Sequence, residues 1–262
     1  MSIYFAEKSW PELQRAIEDN ALVLIPVGTI EEHGKHLPVN TDCIIAEEVS
    51  KRVAEVMKEE IPILVMPTVW TGYSEKKMMK WPGTCRISVD TFMNLCFDLC
   101  SSLIQMGFRK IVFINGHGHN AEALRVVARK IADAYDVFIA VTDVGTMASE
   151  IVPKIRKSVQ GGSIHGGEYE TSLMLYLKPE LVHMEFATNE DIMRYHSKFY
   201  PGDNFVGGLR VFWSTWGIQE SKTGIYGDPT VASKETGEEI MKDIIRNYVE
   251  FLGEFYKHRK EG

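Results

Sequence analysis

Four short apolar runs punctuate the chain, and longer amphipathic stretches separate them. ALVLIPVG (21–28), ILVMPTV (63–69), KIVFING (110–116) and VFIAVTDV (137–144) are almost continuously aliphatic or aromatic. Runs of that length and content predict strands buried on both faces. Between them, 42–60, 88–107 and 120–136 repeat apolar residues at three- and four-residue intervals, the period of a helix with one buried stripe. Segment 9–20 opens on Ser9 with Pro11 in its first turn, a helix start, and 88–107 stops on Gly107. Further helices are predicted over 147–157, 167–177 and 233–257. Strands separated by helices imply an α/β fold whose mostly parallel sheet is covered on both faces. Only 186–230 breaks the rhythm. It holds turn signals such as YPGD and GIYGDP, yet too many aromatics to stay solvated, which predicts an irregular excursion over the main body. Trp213 and Trp216 are expected to anchor it.

Composition narrows the functional classes. The 262 residues carry a net charge of −7 and 45% hydrophobic content. That supports a sizeable core and argues against general nucleic-acid binding, which needs a basic face. No apolar run reaches bilayer-spanning length, and the N-terminal residues lack a secretory signal pattern. The four cysteines show no CxxC spacing; Cys96 and Cys100 sit one helical turn apart in an apolar segment and read as buried thiols. Together these features predict a cytoplasmic protein with no membrane partner.

The unusual polar clusters all follow predicted strands. TIEEHGKHLPVNTD (29–42) follows the first, WTGYSEKKMMKWPGT (70–84) the second, and NGHGHN (115–120) the third. Ligands in α/β sheets bind outside the carboxyl ends of strands, so these loops are expected to share one rim. They bring Glu31, Glu32, His33, His36, Asp42, His117 and His119, a mixture suited to Zn²⁺, Mn²⁺ or Fe²⁺. Glu31 and His33, two residues apart, point the same way in an extended segment, whereas Glu32 points elsewhere. His117 and His119 repeat that spacing between glycines. Downstream, SIHGGEYETSLML (163–175) offers His165, Glu168 and Glu170; Glu168 reads equally well as an ordinary first-turn acid. Lys76, Lys77 and Lys80 read either as a solvated face or as contacts for an acidic substrate. His183, His196 and His258 stand outside any cluster.

PVGTIEEHGKHLPVNTD, WPGT (81–84), NGHGHN, HGGEYETS and GIYGDPTVA (224–232), in that order, resemble the creatininase (creatinine amidohydrolase) family. The resemblance implies one three-layer α/β/α domain over 1–262, with the excursion lining the site or an interface. It implies two divalent metal ions per subunit, a small-molecule substrate and a homo-oligomer, often a hexamer. Carried over residue by residue, Glu31 and His117 would hold one metal, His33 the other, and Asp42 would bridge them. His119 and Glu170 compete as the fifth protein ligand. His165 and Glu170 are the implied proton shuttles, and Ser74, Gly118 and His165 the implied substrate contacts. The chain departs from creatininase proper at Gly118, where an aromatic is usual, at KKMMKW in place of a glycine-rich loop, and at Gly162-Ser163-Ile164 in place of a Trp-Asp pair. Those departures disfavour creatinine itself. The expected reaction is hydrolysis of a C–N bond in a small cyclic amide or formamide-like compound by metal-activated water. Family members that open a keto-inositol ring make C–C cleavage of a cyclic keto-polyol the second expectation. A non-catalytic metal-binding protein is the third, disfavoured because structural zinc sites are closed and usually rich in Cys.

Overall fold

A computed structural model describes residues 2–207, 211–212 and 218–258. Trp213 and Trp216 lie outside the described residues. Four parallel strands form the central sheet in the order β2-β1-β3-β4. They are β1 (Leu22–Val27), β2 (Ile63–Val65), β3 (Lys110–Asn115) and β4 (Phe138–Asp143). The second apolar run is strand for only three residues, although Val69 still bridges Val27. Pro67 lacks the N–H that continued pairing would need.

Strand periodicity divides the core into two layers. Leu22 and Leu24 of β1, with Val112 and Ile114 of β3, enter one cluster. Their alternates Val23, Ile25, Ile111 and Phe113 enter the other. Successive side chains of a strand face opposite sides, so a strand that is apolar throughout supplies both layers at once. Helices α2 (Thr41–Met57), α7 (Glu168–Leu177) and α8 (Lys234–Lys257) cover the first layer. Helices α1 (Trp10–Glu18), α3 (Val89–Met106) and α4 (Ala121–Ala134) cover the second. The fold is therefore a three-layer α/β/α sandwich. Cys96 and Cys100 are free thiols buried in the second layer.

Local signals set the helix ends. Ser9 and Glu12 form a reciprocal capping box at α1. Ser88 accepts from Thr91 N at the start of α3, and Ser233 from Thr236 N at the start of α8. The helix expected over 147–157 is replaced by two single turns, α5 (Val144–Met147) and α6 (Val152–Ile155). Pro153 sits in the first turn of α6, where it starts a helix and cannot continue one.

Two short strands lie outside the main sheet. β5 (Ser163–His165) pairs antiparallel with β6 (Tyr226–Gly227). The excursion reaches them through charged and polar ties. Arg156 grips Asp203 with two hydrogen bonds of 2.8 Å each. Asp191 Oδ2 accepts from Ser221 Oγ and from the backbone N–H groups of Lys222 and Thr223. These contacts carry the chain back toward the carboxyl edge of the main sheet.

Candidate metal centre

The sheet order reverses between β1 and β3, because the chain leaves β1 toward β2 and returns on the other side. A crevice opens at such a point, outside the carboxyl ends of the strands. The loop after β1 enters it with Glu31 and His33, and α2 begins there with Asp42. The loop after β3 enters with His117 and His119. Gly116 makes this approach possible: a Cβ at that position would lie 2.5 Å from the carbonyl oxygen of Asp42. Gly34 turns the first loop with φ of 75°, a left-handed angle that other residues rarely adopt.

Asp42 stands between two histidines. Its Oδ1 is 3.1 Å from His33 Nε2, and its Oδ2 is 2.8 Å from His117 Nδ1. Glu31 Oε2 lies 3.4 Å from the same His117 nitrogen and 3.9 Å from His165 Nδ1. Glu170 Oε1 lies 4.0 Å from His33 Nε2. The donor atoms fall into overlapping groups of Glu31, His117 and His119, of His33, Asp42 and Glu170, and of Glu31, His33 and His165, each within 4.8 Å. His119 and Glu170, set in competition by the family resemblance, thus occupy different places: one beside His117, the other beside His33.

Each of three imidazoles is oriented from behind by a backbone carbonyl. His33 Nδ1 donates to Glu31 C=O at 3.0 Å, His117 Nε2 to Tyr73 C=O at 3.0 Å, and His165 Nε2 to Glu32 C=O at 2.7 Å. The other nitrogen of each ring turns toward the carboxylates. An outer N–H held by an acceptor fixes ring and tautomer so that the inner nitrogen presents its lone pair, the usual arrangement around a metal ion.

The electrostatics point the same way. Burial pushes the Glu31 carboxyl up, with Asp42 adding to it and His117 and His33 opposing. Burial is the largest influence on His33 and on His117 and would lower both. The carboxylates outweigh it, so His33 rises well above its ordinary range and His117 rises to about 9. Asp42 is desolvated, yet the two imidazoles hold it far below the usual carboxylate range. Burial pushes Glu170 up to about 7. His165 is driven well below its ordinary value by burial and by His33, and His119 falls to about 3 through burial and His117. Both Glu31 oxygens are buried without a well-formed hydrogen bond. Buried carboxylate oxygens are rarely left so, and divalent metal would complete their coordination. The donor set of imidazole and carboxylate fits Zn²⁺ or Mn²⁺.

Of the other predicted residues, Ser74 is fully buried beside Glu31 and helps oppose the rise of its pKa. Gly118 is exposed, and a Cβ built there would touch nothing within 4 Å, so the site is open on that side. Glu32 turns away from the cluster, as expected, and accepts from Gly34 N–H at 3.0 Å. Lys77 and Lys80 are exposed and reach the excursion, Lys77 at 3.8 Å from Glu220 and Lys80 at 3.1 Å from Ser221 C=O. Glu168 is no ordinary first-turn acid: it is buried and accepts from the backbone N–H groups of Lys157 and Ser158, both at 2.8 Å. His183 is exposed, and the His258 ring stands edge-on to Phe138.

Sequence reasoning missed Tyr73, Asn115 and Asn120. Asn115 bonds both the N–H and the C=O of His117. Asn120 accepts from Tyr73 N–H and donates to Gly28 C=O. The two asparagines bracket the histidines in NGHGHN, a legible signal. Tyr73 acts through its backbone and left none.

The profile of the Creatininase family, described as creatinine amidohydrolase, matches residues 6–252. A creatinine amidohydrolase of Pseudomonas putida is 28% identical over 271 residues, covering 97% of each chain. A 3-dehydro-scyllo-inosose hydrolase of Thermotoga maritima is 26% identical over 194 residues, covering 72% of this chain and 60% of that protein. A solved mutant creatininase described as Zn-Zn type superposes with a TM-score of 0.77 at 25% identity, covering 98% of this chain and all of that one.

Proposed function

The chain belongs to the creatininase family of hydrolases, and from that premise we propose that it hydrolyses a C–N bond in a small cyclic amide or formamide-like compound with the help of two divalent metal ions. One observation carries this reading: Asp42 directs one carboxylate oxygen to His33 and the other to His117, each with a further acid close by. In this assignment Glu31, His117 and His119 would hold one ion, His33 and Glu170 the other, and Asp42 both. Ions so held supply Lewis-acid polarisation of a carbonyl and bring the acidity of water near neutrality.

The chain's own groups do the rest. His165 Nε2 donates to Glu32 C=O, so its Nδ1, on the side of Glu31, is the atom that takes a proton from the attacking water. Burial keeps that ring neutral in the resting protein, so its Nδ1 carries a lone pair and no proton. The same nitrogen then returns the proton to the departing nitrogen. The open space over Gly118 leaves room for a planar substrate, and Ser74 is buried behind it against Glu31.

Ring opening of a cyclic keto-polyol is the second reading, favoured by the Thermotoga maritima relative. It needs the same polarised carbonyl but expels carbon, not nitrogen. The test is the Asp42→Ala variant beside the parent protein. Metal analysis after dialysis is expected to find two ions in the parent and neither held tightly in the variant, with hydrolysis of cyclic amides abolished. Full metal occupancy and normal turnover in Asp42→Ala would sink the reading. Turnover of keto-polyols but not amides by the parent would select the second.

A further inference from the structure

The centre is assembled from two parts of the fold that share no secondary structure. Glu31, His33, Asp42 and His117 come from the carboxyl edge of the main sheet. Glu170 and His165 come from α7 and β5, outside it. The distance from His33 to Glu170 therefore depends on how α7 docks against the loop after β1.

His36 forms that joint. Its side chain is buried, and its Nε2 lies 2.9 Å from Thr171 Oγ1, across 135 residues of chain. Thr171 is itself fully buried and directly follows Glu170. The carbonyl of His36 accepts from His183 N–H at 2.8 Å, just beyond the end of α7. One residue thus grips α7 at its first turn and also ties down the chain that follows the helix. From the opposite side Ser172 Oγ accepts from Ser233 N–H at the start of α8. A Cβ on Gly237 would lie 1.9 Å from Ser172 C=O, so α7 cannot shift that way without a clash.

We propose that His36, through Thr171, is a positioning residue that sets the spacing between His33 and Glu170, and so the affinity of the second cation site but not of the first. The inference rests on the two-ion reading above. The first group, Glu31 with His117 and His119, hangs on β1 and β3 and does not pass through α7. Breaking the His36–Thr171 bond lets α7 relax and loosens Glu170 alone. Outer partners of metal ligands are worth about 10- to 100-fold in affinity when removed, and that is the loss expected here.

The experiment is calorimetric titration of metal-free protein with Zn²⁺, and with Co²⁺ followed by its visible absorption. Thr171→Val removes the hydroxyl at nearly constant volume, and His36→Leu removes the imidazole. Both are expected to leave the tighter site within a few-fold of the parent while weakening the other about 10- to 100-fold. Thr171→Ser, which keeps the oxygen, is expected to restore it. Should His36→Leu fail to fold, the two Thr171 variants decide the matter. Equal weakening at both sites, no weakening, or no rescue by Thr171→Ser in a parent that binds two ions overturns the inference alone. A parent that binds fewer than two ions overturns the proposed function and this inference with it.

Discussion

Replacing Glu168 by alanine separates two accounts of one residue by their magnitudes. If Glu168 only faced the positive end of a helix dipole, its loss would cost roughly 0.3–1 kcal/mol. The structure gives it a different role, because both oxygens receive backbone N–H groups, the half-buried Lys157 N at Oε1 and the buried Ser158 N at Oε2. Hydrogen bonds to a charged group are worth about 1.5–3 kcal/mol each, so Glu168→Ala is expected to cost about 3–6 kcal/mol. Glu168→Gln keeps one acceptor and turns an amide N–H₂ toward the other donor; it should lose about half as much. Urea denaturation of metal-free protein measures both, with the midpoint falling at an unchanged slope. A loss below about 1 kcal/mol in Glu168→Ala would refute the anchoring role and leave the dipole as the whole explanation.

Lys110 is buried with its ammonium against the rings of Tyr256 and Phe138, and it donates to Tyr256 C=O and, at 3.3 Å, to His258 C=O. Lys110→Met keeps the packing but orphans those carbonyls; hydrogen exchange should show fraying of the last turn of α8, at a cost of about 1–3 kcal/mol. Asp191 is raised by desolvation, but the donors from Thr223, Ser221 and Lys222 outweigh it and hold it below its ordinary value. A depressed carboxylate contributes stability fully above the ordinary aspartate pKa of about 3.9 and loses it as pH falls through the folded value. Protease nicking around 219–224 should accordingly rise in acid, and Asp191→Asn should already be nicked at neutral pH with a flatter pH dependence. With His117 raised to about 9 in the metal-free protein, the ring carries a proton at neutral pH that an incoming cation must displace. Zn²⁺ uptake at pH 7 should release protons, and apparent affinity should rise toward pH 9. Calorimetry in buffers of different ionisation enthalpy reads this directly, and identical heats in all buffers would contradict it.

Much of this molecule was written locally. Apolar runs that leave no polar face, are too short for helices and end at or near Pro or Gly read as strands covered on both sides, so the layered parallel sheet followed from the local pattern. Ser9, Glu12, Ser88, Gly107 and Ser233 mark helix ends because caps act within one turn. The acids and histidines of the loops after β1 and β3 were legible for a similar reason: a fold needs no such mixture, and strand ends in an α/β sheet converge. Helix 147–157 was misread because its pattern was helical while Pro153 restarted the chain. Which donors fall into one group was not legible. Glu170 and His119 take separate places because α7 docks on the loop after β1 through His36 and Thr171, a contact made across 135 residues. Glu168 became a loop anchor, and the carbonyl of Tyr73 an orienting group for His117, by the same kind of long-range closure. Composition and spacing act over a few residues, whereas coordination geometry is decided by which distant backbones meet, and that is a property of packing alone.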